Sequence, residues 1–193
     1  MSAQAEGVFI QDVNGKLWNA EDWDKSVEPN GVAVISKRSR FLIALANLGF
    51  LCQMSNCINT PFETVVETFN DKRTAKTDYD GFKNTESIAN AFCKNYHFAA
   101  GWCREYTFPD GKTKGYLPSF GQFWIVYRNK DAVNAAFKAC GGFLLNKYPY
   151  YWTSTFCKGK GSESGFWMIR LVDGDAFIGH SLELDFVRPF ADL

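Results

Sequence analysis

The sequence predicts an α+β fold, with helices outside a mostly antiparallel sheet, and three observations carry that prediction. Asn14-Gly15 stands between two short apolar runs, the strongest short-range hairpin signal a sequence holds. Two helical patterns with their own start and stop chemistry follow, beginning at Ser119 and spanning 130–140. The C-terminal quarter then returns to period-two alternation, with Trp167, Ile169 and Leu171 on one parity and Met168, Arg170 and Val172 on the other. At 193 residues the chain suits a single domain, 1–193. Within it, 1–35 supplies N-terminal strands and a turn, and 148–193 supplies a C-terminal ligand-binding segment.

Taken in order, 8–13 reads as a strand, with 16–18 returning from the Asn14-Gly15 turn. Residues 19–23 suit a capped helical turn. Glu28-Pro29-Asn30-Gly31 suits a loop before a strand over 32–35, and 40–45 is a further strand. Over 49–81 the pattern assigns little: a short helix at 61–67 and turn chemistry at 77–81. A helix is expected over 85–95, with Asn84 or Thr85 as N-cap and Ile88, Ala91 and Phe92 on its apolar stripe. Ser119 and Gln122 have capping-box spacing, and Leu117 and Phe123 suit the accompanying hydrophobic staple. In 130–140 the apolar face is Val133, Ala136, Phe137 and Cys140, ended by Gly141-Gly142.

Composition excludes several function classes. Formal net charge is zero and there is no basic block, so the electrostatic footprint of nucleic-acid binding is missing. No apolar run approaches the roughly 18 residues of a membrane span. The start MSAQAEGVFI lacks the basic and apolar regions of a Sec signal. The expectation is a protein made in the cytoplasm, with association to a virion or surface left open. Six Cys form no CxxC pair and stand with only two His, so neither zinc nor any other cofactor is expected. Cys52 and Cys57 are close enough in sequence to bridge, but free thiols are the default here. Aromatic residues make up 17%, a content that fits ring-filled packing in a loop-rich fold and also an aromatic recognition surface.

The C-terminal alternation reads as a hairpin that turns at Asp173-Gly174-Asp175 and returns through 181–186. Leu182, Leu184 and Phe186 then face the core, and Ser181, Glu183 and Asp185 face water. The outward set is Met168, Arg170, Val172, Asp175, Phe177, Gly179, Ser181, Glu183 and Asp185. Phe156, Cys157, Lys158 and Lys160 lie on the preceding loop. Met168 and Phe177 beside Arg170 and Glu183 are unlike an ordinary solvated face, which is mostly charged. The mixture suits display to a ligand better than catalysis. Trp152 and Trp167 sit in apolar patterns and belong to the core; Arg188 is either inward and ion-paired or solvated.

Three fragments, Gly115-Tyr116-Leu117-Pro118-Ser119, Tyr151-Trp152-Thr153-Ser154-Thr155 and Val187-Arg188-Pro189-Phe190, together resemble the C-type-lectin fold of the formylglycine-generating-enzyme-like branch. With GVFIQDVNGKLWNAEDWD and REYTFPDGK added, the chain is similar to variable proteins of diversity-generating retroelements. The resemblance implies a C-type-lectin scaffold and a ligand-binding, receptor-type or adhesin role. It also implies diversified codons between 155 and 187, which coincide with the outward set. The reverse-transcriptase system acts on the gene, so the protein's own partner is an unnamed protein or surface ligand. The Gly-rich stretch 158–165 departs from the pattern by its length. The alternative is an invariant phage or cell-envelope adhesin or structural domain of the same fold.

Rival chemistries fit less well. Glu28-Pro29-Asn30 matches a calcium-lectin tripeptide by letters, yet lies far upstream of that motif's place, and the carboxylates are too few and out of register for calcium. LPSFGQFW is similar to a segment of formylglycine-generating oxidases, but the reactive cysteines are missing. Cys157, with Lys158 and Lys160 to depress its pKa, is the one late thiol. His97 and His180 frame no triad. No enzymatic activity is expected.

Overall fold

The structure is a computed structural model that describes residues 5–49, 51–55, 61–92, 98–145, 150–159 and 164–193. Its first sheet begins with β1 (Gly7–Asp12), β2 (Leu17–Trp18), β3 (Pro29–Ile35) and β4 (Arg40–Ile43). Helical segments follow: α1 (Lys72–Ala75), α2 (Gly81–Phe92), α3 (Ala99–Glu105), α4 (Phe120–Arg128) and α5 (Lys130–Cys140). Then come β5 (Tyr150–Cys157), β6 (Gly165–Arg170), β7 (Ala176–Gly179) and β8 (Phe190–Asp192). Two antiparallel sheets result, β2-β1-β3-β4-β8 and β5-β6-β7, so the first and last strands share one sheet. The coarse α+β expectation, antiparallel sheets flanked by helices, is met.

Register decides which residues meet. Ile10, Val32, Ile43 and Phe190 lie in one row across four strands, and all four are buried in the main core. The next row, Phe9, Ala33, Leu42 and Ala191, points to the opposite face, where Phe108 covers it. Both faces of β3 are therefore buried, which is why its apolar run is nearly continuous rather than alternating. Helix α5 packs against β1 and β3, placing Val133, Ala136 and Phe137 in the main core. Phe190 stacks on Phe41 (4.9 Å) and meets Phe123 of α4 (5.0 Å), and Phe123 meets Tyr151 of β5 (5.5 Å). These rings carry the core from the first sheet through α4 to the second.

Several local expectations hold. The capping box is formed: Gln122 N donates to Ser119 Oγ, and Ser119 N donates to Gln122 Oε1 at 2.9 Å. Gly141 ends α5 at φ 77°, a left-handed conformation that glycine adopts without strain. Trp152 and Trp167 are buried.

Other expectations are corrected. Helix α2 begins at Gly81, four residues before the expected start, and Thr85 is interior: its Oγ1 donates to Gly81 O and accepts from Leu117 N. The buried stripe of α2 runs through Asn84, Thr85, Ile88 and Ala89, while Ala91 is exposed. Leu117 and Phe123 lie in different core clusters, so no staple joins them. The helix expected at 61–67 is a single 3-10 turn, Phe62–Thr64. Helices α1 and α3 were not anticipated; α3 has Phe98 at its N-cap position with no capping side chain, so its sequence carries no start signal. No strand forms over 181–186. Instead Asp185 and Phe186 make isolated bridges to Cys52 and Tyr151, which leaves Leu184 58% exposed where an inward side chain was expected.

Candidate ligand-binding surface

The second sheet has two faces with different fates. Trp167 and Ile169 on β6, and Ala176 and Ile178 on β7, pack into or against the main core, as the alternation predicts. The opposite face bears Tyr150 and Trp152 of β5, Phe166, Met168 and Arg170 of β6, and Phe177 and Gly179 of β7. Period-two reasoning sends that face to water, but it is largely covered. Cys52, Met54, Phe62 and Val66 cover it together with α2 and α3: Trp152 Nε1 donates to Cys52 O (2.8 Å), and Phe62 meets Phe166 (4.7 Å) and Phe156 (5.9 Å).

Of the candidate residues, Phe156, Cys157, Met168, Gly179 and Ser181 are therefore buried. Phe156 and Cys157 belong to β5 and not to a loop. Gly179 lies under the Trp152 ring; a Cβ there would collide with Met168 Sδ and lie 2.8 Å from Trp152 Cη2. Burial raises the Cys157 thiol, with Asp71 adding to the effect, opposite to the depression expected from neighbouring lysines. Lys160 lies outside the described residues. Lys158 is exposed and faces Glu63 at 3.8 Å.

What reaches solvent is the turn end of the β6–β7 hairpin. Arg170 Nη2 pairs with Asp173 Oδ2 (2.8 Å) and Asp175 Oδ2 (3.3 Å), and its guanidinium lies over the Tyr150 ring at 5.1 Å. Tyr150 OH donates to Asp175 Oδ2 (2.6 Å), and the Tyr150 ring meets Phe177 edge-on at 4.6 Å. The Arg170 hydrogen bonds hold the Asp173 carboxyl down to about 2. The Tyr150 hydroxyl keeps Asp175 below its ordinary value. The turn backbone is tethered from behind, where Lys130 Nζ donates to Val172 O (2.7 Å) and Lys72 Nζ to Gly174 O (2.8 Å). Val172 and Phe177 remain exposed, at 42% and 38%. Glu183 and Asp185 are half-buried on the following segment. An aromatic pair, an aliphatic side chain and a fixed guanidinium on a braced turn are the ingredients of a protein-contact patch. Sequence reasoning missed Tyr150, because a cross-strand partner is invisible without the register, and Asp173, which it took only as a turn residue although it lies three residues from Arg170.

The motif fragments fall elsewhere. Thr155 Oγ1 donates to Asp78 Oδ2 (2.6 Å) and accepts from Phe120 N (2.7 Å). Ser154 N donates to Pro118 O (2.8 Å), and Tyr116 pairs with Phe190 across an antiparallel bridge. Arg188 is fully buried and inward but has no carboxylate partner among the described residues. It donates to Ala44 O (3.0 Å) and Phe143 O (2.7 Å) beneath the Phe137 ring, and burial pulls it down to about 10. The three fragments are the frame that joins the sheets, and the patch sits apart from them.

The rival sites are also placed. Asn30 is buried, donating to Gln11 Oε1 (3.0 Å) and accepting from Asp110 N (3.0 Å), with Pro29 opening β3. Among the described residues no group of three or more His, Cys, Asp or Glu side chains could hold a metal. Cys52, Cys103, Cys140 and Cys157 are free; Cys57 lies outside the described residues. No helix among those residues is long and apolar enough to cross a membrane.

No protein-family model matches the sequence, and no curated protein matches it. Among solved structures, the chain is similar to a fimbrial protein from Bacteroides ovatus, with a TM-score of 0.70 and 15% identity. The match covers 98% of this chain and 49% of that one, so the chain spans about half that protein's length and shares its fold over that half.

Proposed function

We propose that this chain is an adhesin-type domain of a cell surface or surface fibre. A rigid α+β frame presents the turn end of β6–β7 to a protein ligand. The observation that carries this reading is the fixed cluster of Arg170, Asp175, Tyr150 and Phe177, in which each outward side chain is held by another. Side chains already fixed lose little freedom on binding, which is the usual route to affinity on a small patch. The fold shared with a fimbrial protein supports a surface setting.

The test is binding of the purified chain to an array of extracellular-matrix and cell-surface proteins, alongside Arg170→Ala/Phe177→Ala. Spots bound by the wild type should vanish with the double variant while its melting temperature stays within about 2 °C. Equal binding by both proteins places the contact elsewhere.

A second reading, drawn from the motif resemblance, is that the patch belongs to a retroelement-diversified variable protein with a C-type-lectin scaffold. It is favoured by the separation of half-buried Arg170 and exposed Val172, Asp175 and Phe177 from the buried motif residues. It requires codon variation at those positions in a population carrying the gene, with codons 168 and 179 constant. A uniform gene leaves the fixed adhesin.

A further inference from the structure

A cleft of about 630 Å³ opens between the β3–β4 turn, α1 and the end of α4, lined by none of the hairpin-patch residues. Five cationic side chains line it, Lys37, Arg38, Arg73, Lys76 and Arg128, against one carboxylate, Glu6. The chain as a whole has zero net charge, so this is local charge separation. Among the described residues none of the five has a salt-bridge partner. Asp71 caps α1 through Arg73 N (2.8 Å) and Thr74 N (2.9 Å), and its charge acts on Arg73 without forming a salt bridge.

The cations are held together and not merely scattered. Lys76 Nζ sits 3.6 Å above the Trp124 ring, and Lys72 approaches the same ring at 5.5 Å. Burial, then repulsion from Lys72 and Arg128, lowers the Lys76 pKa, so its environment already disfavours the positive charge. The negative end of the α4 dipole offsets one cation at most, not five. Five like charges gathered against fewer carboxylates oppose folding, and a bound polyanion reduces that opposition.

The remaining chemistry narrows the ligand. Trp124 stacks on Phe120 and carries Lys76 on its ring, which leaves Tyr79, whose hydroxyl accepts from Arg38 Nη1 (3.4 Å), as the one other ring on the lining, too few for a run of stacked nucleobases. The cationic lining includes three guanidinium forks, suited to sulfate and carboxylate groups along a chain. We propose that this cleft binds an anionic polysaccharide, with Arg38, Arg73 and Arg128 holding its sulfate or carboxylate groups. The inference is independent of the hairpin patch.

Dextran sulfate, alginate, neutral dextran and single-stranded DNA are the probes, with the intact chain titrated at low and at physiological salt. Dextran sulfate or alginate should bind, weaken as salt rises and raise the melting temperature, while neutral dextran does nothing. Arg73→Gln/Arg128→Gln, both at exposed positions, should weaken that binding at least tenfold, and Lys114→Gln, exposed but no part of the cleft lining, should leave it unchanged. If the double variant melts lower than the wild type, Lys37→Gln/Arg38→Gln replaces it as the reporter. Undiminished binding by the reporter variant overturns the proposal. Single-stranded DNA bound as tightly as dextran sulfate at equal charge overturns the polysaccharide assignment in favour of nucleic acid. Loss of Arg170→Ala/Phe177→Ala binding to proteins bears only on the hairpin.

Discussion

Thr155 of β5 joins Asp78, which lies between α1 and α2, to the first turn of α4: its hydroxyl donates to the Asp78 carboxylate at 2.6 Å and accepts from Phe120 N at 2.7 Å. Ser119 Oγ also donates to Asp78 O, and Gln122 Nε2 continues the chain to Tyr116 OH (2.8 Å), which donates to Asp192 of β8 (3.0 Å). Every group in this run is satisfied, so one polar network ties both sheets and α4 across an otherwise apolar interior.

Thr155→Val should therefore cost more than its nearly unchanged volume implies. It orphans the buried Phe120 N–H and leaves the Asp78 carboxylate one donor short, a loss of about 2–4 kcal/mol by urea denaturation. Thr155→Ser keeps the hydroxyl and should recover most of it. Equal losses in the two variants would mean the methyl, not the hydrogen bonds, matters there.

Asp78 also sets a pH dependence. Burial raises its carboxyl above 3.8, outweighing the hydrogen bonds from Thr155, Asp80 N and Asn84 that lower it. A folded pKa above the unfolded one means the folded state holds the proton more tightly. This stabilisation is fully present below the unfolded value and is lost as pH rises through the raised folded value. Asp78→Asn has no such titration. The stability of the wild type minus that of the variant should be greatest at the acid end and fall with rising pH, then level off. The subtraction cancels Asp185, whose carboxyl is also raised by burial. A difference that grows with pH contradicts the assignment.

Gly179→Ala should destabilise the chain by about 1–3 kcal/mol, because Trp152 and Met168 already occupy the space a Cβ needs. Val172→Ala, on the exposed turn, should leave the denaturation midpoint almost unmoved. If Gly179 accepts larger side chains without loss, the hairpin sits more loosely on Trp152 than described.

Trp167→Ala should lose about 3–5 kcal/mol, since it empties a ring-sized volume in the main core and orphans Phe69 O, to which its Nε1 donates at 2.7 Å. Arg188→Met should lose less than Arg188→Ala. Methionine fills most of the space and removes a buried charge, although both variants strand Ala44 O and Phe143 O. The order of the two midpoints checks the reading.

Local chemistry was the legible part of this fold. The Asn14-Gly15 hairpin, the Ser119–Gln122 box and the Gly141 stop are each written within a few residues, and each forms, although β1 ends at Asp12 and Val13 joins the turn instead of the strand. Alternation around Trp167 correctly named the core face of β6. It failed at Met168, because period two distinguishes two faces but does not say whether the second is covered. That depended on Cys52, Met54, Phe62 and Val66, whose sequence neighbourhood has no periodicity to reveal their packing. The same limit explains Leu184 and Ser181, whose alternation is real but whose segment pairs only through isolated bridges. Tyr150 entered the candidate patch only through cross-strand register, and Asp173 only through the geometry of the turn that folds it onto Arg170.

The shared sheet also has a mechanical consequence. Val8, Val34, Phe41 and Asp192 occupy one row, so the start of β1 and the end of β8 lie at the same end of the sheet. Tension drawn through both would peel β8 from β4 one hydrogen bond at a time, and would not load the whole ladder in shear. The first bonds to part would free Asp192, and with it Tyr116 OH, before any ring of the main core moved. Under pull, this domain should yield from its closing strand inward, with the braced hairpin among the last parts to change shape.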